Sequence, residues 1–181
     1  TSEPDRYTYD PRHPTPSVGG AMFAFSGASP MNQARLEARK DVLVFTSEPL
    51  FDDLTIIGNV RAMIYARANN PNADLFVKLC DVDEKGVSIN ICDGIVRKTT
   101  ADPAVPDDIW KLNFKLHATA HTFRRNHRLR LIVASGAHPR FARNTGTDEP
   151  FGTATKLVPV EMEIFHDPLR PSAVHLPVFE L

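Results

Sequence analysis

Short apolar runs, each cut off within a few residues by proline, glycine, asparagine or aspartate, recur along the whole chain and leave no room for a long helix. The pattern is densest between Asp41 and Val60, DVLVFTSEPLFDDLTIIGNV. Val42 to Phe45 reads as one strand, a turn-rich break follows, and Leu54 to Ile57 reads as a second strand. Gly58-Asn59 is expected to end that strand, with a third over Val60 to Ala68. Val, Ile, Phe and Thr at such spacing, bounded by turn formers, favour strands over helices.

The remaining chain repeats the theme. Asp74 to Val82 alternates, with Leu75, Val77 and Leu79 on one face and Phe76, Cys80 and Val82 on the other. Asp83-Glu84-Lys85-Gly86 supplies a hairpin turn, and Val87 to Val96 returns with Ile89, Ile91 and Ile95. Apolar residues on both faces predict central strands of a sheet covered on both sides. Ile109 to Ala118, Arg128 to Val133, Val158 to His166 and Ala173 to Phe179 complete a set of roughly eight to ten strands. Asn32 to Lys40 has helical composition but only Leu36 as a bulky apolar residue, so it predicts one or two turns. Such a chain must stack two sheets or close a barrel, and we read an all-β fold, a β-sandwich of jelly-roll type. Residues 1–40 read as a Pro/Gly-rich strap and docking segment of the same domain, and 41–181 as the sandwich. Pro11, Pro14 and Pro16 ahead of Gly19-Gly20 predict that the strap is extended and outside any ladder.

Composition narrows the function classes. The 181 residues suffice for one domain. Fifteen prolines exceed the usual share of about 5%, which suits a loop-rich β fold. A net charge of -1 gives no reason to expect nucleic acid or an anionic membrane as partner. Cys80 and Cys92 do not make a disulfide framework and fit a reducing, cytoplasmic location. They read as small buried apolar residues that do not face each other across the hairpin.

A search for catalytic chemistry returns little. A serine hydrolase elbow needs glycine two residues either side of the nucleophile. Ser17, Ser29, Ser88 and Ser135 all lack at least one of the pair. His117 and His121 stand four apart with no third ligand in view, so no metal or cofactor is expected and both histidines read as solvent-facing. Asp81-x-Asp83 mimics the opening of a calcium loop, but Lys85 and Cys92 occupy ligand positions, so it reads as a turn. Arg128 and Arg130 alternate with Leu129 and Leu131, which makes them the outer face of a strand.

Taken in order, several stretches resemble the C-terminal, non-catalytic domain of the cocaine esterase / X-prolyl dipeptidyl peptidase superfamily, the CocE/NonD hydrolases. YTYDPRHPTPSVGG at 7–20 is similar to that family's strap, and RKDVLVFTSEPL at 39–50 to its first core strand. VKLCDVDEKGVSINICDGIVR at 77–97 resembles its hairpin. FRRNHRLRLIVAS at 123–135, PRFARN at 139–144 and HLPV at 175–178 resemble later elements. Two departures stand out. Only Asp74 remains of the family's carboxylate pair, and Asn126 replaces a glycine before His127 while still tolerating a left-handed turn.

The resemblance implies a galactose-binding-domain-like jelly roll that packs on an α/β-hydrolase catalytic domain of the same parent protein. It also implies strands ahead of the strap, whose absence here would leave a sheet edge open. The residues it sets nearest the catalytic domain and its acyl pocket are Tyr9, Asp10, Pro16, Gly19, Gly20, Met22, Phe23 and Ala24. No catalytic residue is expected in the chain itself. A carbohydrate- or ligand-binding module is the alternative, and a bare apolar AMFAF segment (Ala21 to Phe25) would favour homo-oligomers.

Overall fold

A computed structural model describes residues 2–22, 27–103 and 108–179. The elements, in chain order, are β1 (Asp5–Tyr9), α1 (Ala34–Glu37), β2 (Leu43–Thr46), β3 (Leu54–Ala68), β4 (Ala73–Val82), β5 (Ser88–Lys98), β6 (Trp110–Phe123), β7 (Arg128–Ala134), β8 (Val160–Phe165) and β9 (Ala173–His175). They form two antiparallel sheets. One has the order β1-β8-β3-β6, with β9 also pairing β3, and the other β2-β7-β4-β5. The chain is a β-sandwich.

Alternation explains why the sheets face each other. Leu75, Val77 and Leu79 of β4 enter the main core with Val60, Ala62 and Ile64 of β3, Leu112 and Leu116 of β6, and Val133 of β7. The opposite face of β4 is also apolar, and Phe76 and Cys80 join Leu36, Val42, Ile132 and Ala134 in a second core. That second core lies on the outside of the four-stranded sheet, with Val18 of the strap and Phe141 packed against it. One sheet therefore has two buried faces, as the two-sided apolar pattern of β4 predicts.

Three expectations need correction. The strap is partly in a ladder, since β1 pairs β8 from Asp5↔Ile164 to Tyr9↔Val160 and inserts Tyr7 and Tyr9 into the main core. Gly58-Asn59 does not end a strand. Gly58 adopts φ 126° and a register shift follows between Asn59 and Arg61, so β3 runs through. Of the hairpin, β4 is an inner strand but β5 is a sheet edge.

The edge strands β5 and β6 belong to different sheets and meet at a seam. A side chain at Gly94 of β5 would stand 2.7 Å from the Lys115 carbonyl oxygen of β6. On β6 the register shift leaves Leu116 and His117 together opposite Val60. The extra residue turns the His117 ring across the seam.

A clasp that holds the strap and its loop

The outer face of β4 carries one residue that the apolar pattern does not explain. Lys78 sits between Phe76 and Cys80 and is 1% exposed. Its Nζ donates to the Val18 carbonyl oxygen at 2.6 Å and to Gln33 Oε1 at 2.9 Å. Among the described residues no carboxylate bonds it, and burial lowers its pKa below the ordinary lysine value. The ammonium thus ties the strap (Val18) and the turn before α1 (Gln33) to the sheet beneath.

Gln33 and Asn90 extend the tie. Gln33 Nε2 lies 2.8 Å from Met31 O, 2.9 Å from Asn90 Oδ1 and 3.2 Å from Val18 O, its two hydrogens shared among the three acceptors. Asn90 Oδ1 also accepts from Met31 N at 2.8 Å, and its amide reaches Ser29 O at 3.4 Å. Above them the chain closes on itself: Gly20 N donates to Ser29 O at 3.0 Å and Ser29 N to Gly20 O at 3.2 Å. This reciprocal pair is the neck of a loop between residues 20 and 29.

Only glycine fits at the neck. Gly19 has φ 67°, and a Cβ there would stand 2.3 Å from Asn90 Oδ1. Gly20 has φ 105°, and its Cβ would meet Arg140 Nη1 at 2.6 Å and Asp93 Oδ2 at 2.9 Å. Those two atoms form a buried ion pair, 2.7 Å apart, whose side chains are 7% and 2% exposed. His117 closes the row: its Nδ1 lies 2.7 Å from the Asp93 carbonyl oxygen and 3.4 Å from Asp93 Oδ1.

The rest of the strap is pinned in the same manner. Pro16 bridges to His138, through Ser17 N to His138 O at 2.7 Å and His138 N to Thr15 O at 2.9 Å. Thr15 Oγ1 donates to Asp41 Oδ2 at 2.7 Å, and Arg39 holds the same carboxylate from the other side. Farther along, Arg97 grips Asp74 through two bonds of 2.7 and 2.6 Å and also donates to Ala142 O. This contact raises the Arg97 pKa. Asn144 Nδ2 donates to the same Asp74 at 2.8 Å, so the one remaining carboxylate anchors the 136–159 loop.

Of the residues expected near a partner, the structure gathers Pro16, Gly19 and Gly20 on this face and leaves Met22 half-buried just beyond the neck. Tyr9 is instead a core residue, and burial raises its phenol pKa. Asp10 is half-buried; its carboxylate bonds Arg12 and its carbonyl accepts from His13 N. Phe23 and Ala24 lie outside the described residues.

His117 is exposed as expected, with its Nδ1 against the Asp93 carbonyl, whereas His121 is half-buried with Nε2 2.8 Å from Asp81 Oδ2, and His127 Nδ1 holds the other oxygen at 2.8 Å. Lys78, Gln33, Asn90, Asp93 and Arg140 were not singled out from sequence as site residues. The sequence offers a lysine between Phe76 and Cys80 on an otherwise apolar strand face, and that alternation does not say whether the lysine is buried.

Other sequence readings hold. Asp83 Oδ1 accepts from Lys85 N and Val87 N and so builds the hairpin turn. Asn126 takes φ 68°. Cys80 lies in the outer core and Cys92 in the inner one, and burial pushes both thiols up to about 12. Arg130 is partly sheltered and pairs with Glu37 of α1 at 2.8 Å. Among the described residues no helix is long and apolar enough to cross a membrane.

The buried polar groups of this two-sheet sandwich thus fix a strap and the neck of one loop. The family of X-Pro dipeptidyl-peptidase C-terminal non-catalytic domains matches residues 2–175. The chain belongs to that family, the C-terminal β domain of CocE/NonD hydrolases. It is 31% identical over 192 residues to the cocaine esterase of Rhodococcus sp. (strain MB1 Bresler), covering 99% of this chain and 33% of that protein. The solved aminopeptidase from a marine-sediment Thaumarchaeota archaeon superposes with a TM-score of 0.85 at 25% identity, over 99% of this chain and 34% of that one. An alpha-amino acid ester hydrolase has the same fold, with a TM-score of 0.84 at 24% identity, over 99% of this chain and 33% of that one. The chain thus spans about a third of the length of these relatives.

Proposed function

We propose that this domain packs against the α/β-hydrolase domain of a serine hydrolase acting on esters or amides, and that its 20–29 loop helps to wall the substrate pocket there. The observation that carries the reading is the clasp: Lys78, Gln33, Asn90 and the Asp93–Arg140 pair all converge on the neck between Gly20 and Ser29. Buried polar networks cost stability unless every member is satisfied, so a set of this size at one loop neck fits a loop whose position matters. A fixed wall excludes water and orients an acyl group without transferring a proton. The relatives that support this reading are an esterase, an aminopeptidase and an ester hydrolase.

The chain contributes no nucleophile of its own in this scheme. Ser135 is buried and its hydroxyl bonds Tyr7 at 2.9 Å, far from the clasp's role. The pure chain, offered a simple aryl ester, is expected to give no turnover above buffer; turnover abolished by a serine-directed inhibitor would overturn the reading. In the parent hydrolase, Met22→Ala is expected to change kcat/KM unequally for short and long acyl groups. An equal effect on all acyl lengths would remove Met22 from the pocket wall.

A further inference from the structure

Where β3 changes partner, the sandwich has an opening. β8 pairs Tyr65 to Ala68 and β9 pairs Arg61 to Met63, so Ile64 stands at the hand-over with neither opposite it. A slot of about 160 Å³ enters the space between the sheets at this point. Its walls are Phe45, Ile64, Leu131, Val133 and Ile164, contributed by both sheets. His166, Ser172 and Ala173 border it on the β8–β9 side.

Of the polar side-chain atoms at the border, His166 Nε2 and Ser172 Oγ are engaged, while His166 Nδ1 makes no bond among the described residues. His166 Nε2 lies 2.9 Å from Asp5 Oδ2. Ser172 Oγ donates to Phe165 O and accepts from Tyr65 N at 2.9 Å. A water inside the slot would therefore have few partners of the two to four it needs. An engineered, enclosed apolar cavity of about 150 Å³ stays dry and binds benzene or xenon; this slot has a similar volume and an apolar lining but is open on one side. The Phe45 and His166 rings, 6.2 Å apart and inclined by 63°, frame the slot with edge-to-face surfaces that suit an aromatic guest.

We propose that this slot is a binding site for a neutral, single-ring aromatic molecule, separate from the clasp and independent of the hydrolase reading. The ring enters beside Ala173 and lies among Ile64, Leu131, Val133 and Ile164. The site is fragment-sized, with room for a single ring between the two sheets.

The test is a titration of the full chain with benzene, read by methyl carbon–proton NMR. Saturable shifts confined to the methyls of Ile64, Leu131, Val133 and Ile164 are expected. Shifts that do not saturate, or that scatter over the surface, overturn the proposal. Ala173→Val narrows the slot from its border and is expected to weaken benzene binding tenfold or more with little change in melting temperature. An unchanged affinity in that folded variant would place the guest elsewhere and overturn it. The wild-type titration decides the question without the variant.

Discussion

Replacing Lys78 by methionine isolates the chemistry of the clasp, because the stem keeps nearly its volume while the ammonium is lost. At neutral pH the wild-type side chain makes two charge-assisted bonds, to Val18 O and Gln33 Oε1, each worth about 1.5–3 kcal/mol. Burying the charge, which also lowers its pKa, offsets part of that gain. After the substitution Val18 O still accepts from Gln33 Nε2 at 3.2 Å, so the orphaned acceptor is Gln33 Oε1, at a cost of about 1–3 kcal/mol. We therefore expect Lys78→Met to destabilise the fold by about 1–3 kcal/mol at pH 7. For a chain of this size each kcal/mol moves the melting temperature by about 2–4 °C.

The pH dependence has a definite sign. A lysine whose folded pKa lies below its unfolded value binds more protons in the unfolded state across the window between the two, so stability rises with pH there. A neutral amine still has the two donors that its two acceptors require. The groups facing Lys78 besides the acceptors are Asp93, Arg140 and Cys80, and they are common to both proteins. Urea titrations in steps from pH 7 to the ordinary lysine pKa should thus show the gap between wild type and variant widening. A gap that stays flat or narrows, or a variant more stable than wild type at pH 7, would refute the assignment of Lys78 as the tie that holds the strap.

Two further substitutions test other parts of the frame. Gly94→Ala sets a methyl against the Lys115 carbonyl and the Leu116 Cα, 2.7 and 3.1 Å away, where only backbone could yield. A loss of about 1–3 kcal/mol is expected, read as a lower urea midpoint at constant slope; full stability would mean that the seam is looser than drawn. Asp74→Ala leaves Arg97 and Asn144 without their shared carboxylate, and breaking such a buried pair costs about 3–5 kcal/mol. The lower end is expected because Arg97 is 28% exposed and can regain water. Protease cleavage between residues 136 and 159 should appear in that variant first, and cleavage elsewhere would detach Asp74 from that loop.

What could be read from the chain followed local chemistry. The two faces of β4, the Asp83–Gly86 turn and the left-handed Asn126 each depend on residues within a few positions, and each is present as expected. What could not be read depended on distant partners. β1 has only Tyr7 and Tyr9 as inward residues, and the strand that pairs with it begins at Val160. His117 and His121 look like any pair of residues four apart on a wet strand face until β5 and the end of β4 bring Asp93 and Asp81 beside them.

Lys78 shows the limit most clearly. A strand pattern gives no sign whether a lysine flanked by Phe76 and Cys80 lies under water or under chain, because its acceptors are a strap carbonyl and a glutamine with no charge to match. Yet the same strap is what makes that position dry. Pro11 opens a turn from Asp10 to His13, Pro14 and Pro16 then lead the chain over the sheet, the glycines at 19 and 20 let it approach Asn90 and Asp93, and burial of Lys78 follows from the last two steps. The strap, the loop neck and the buried lysine are therefore one device. Removing any of the three should loosen the other two before it unfolds the inner core.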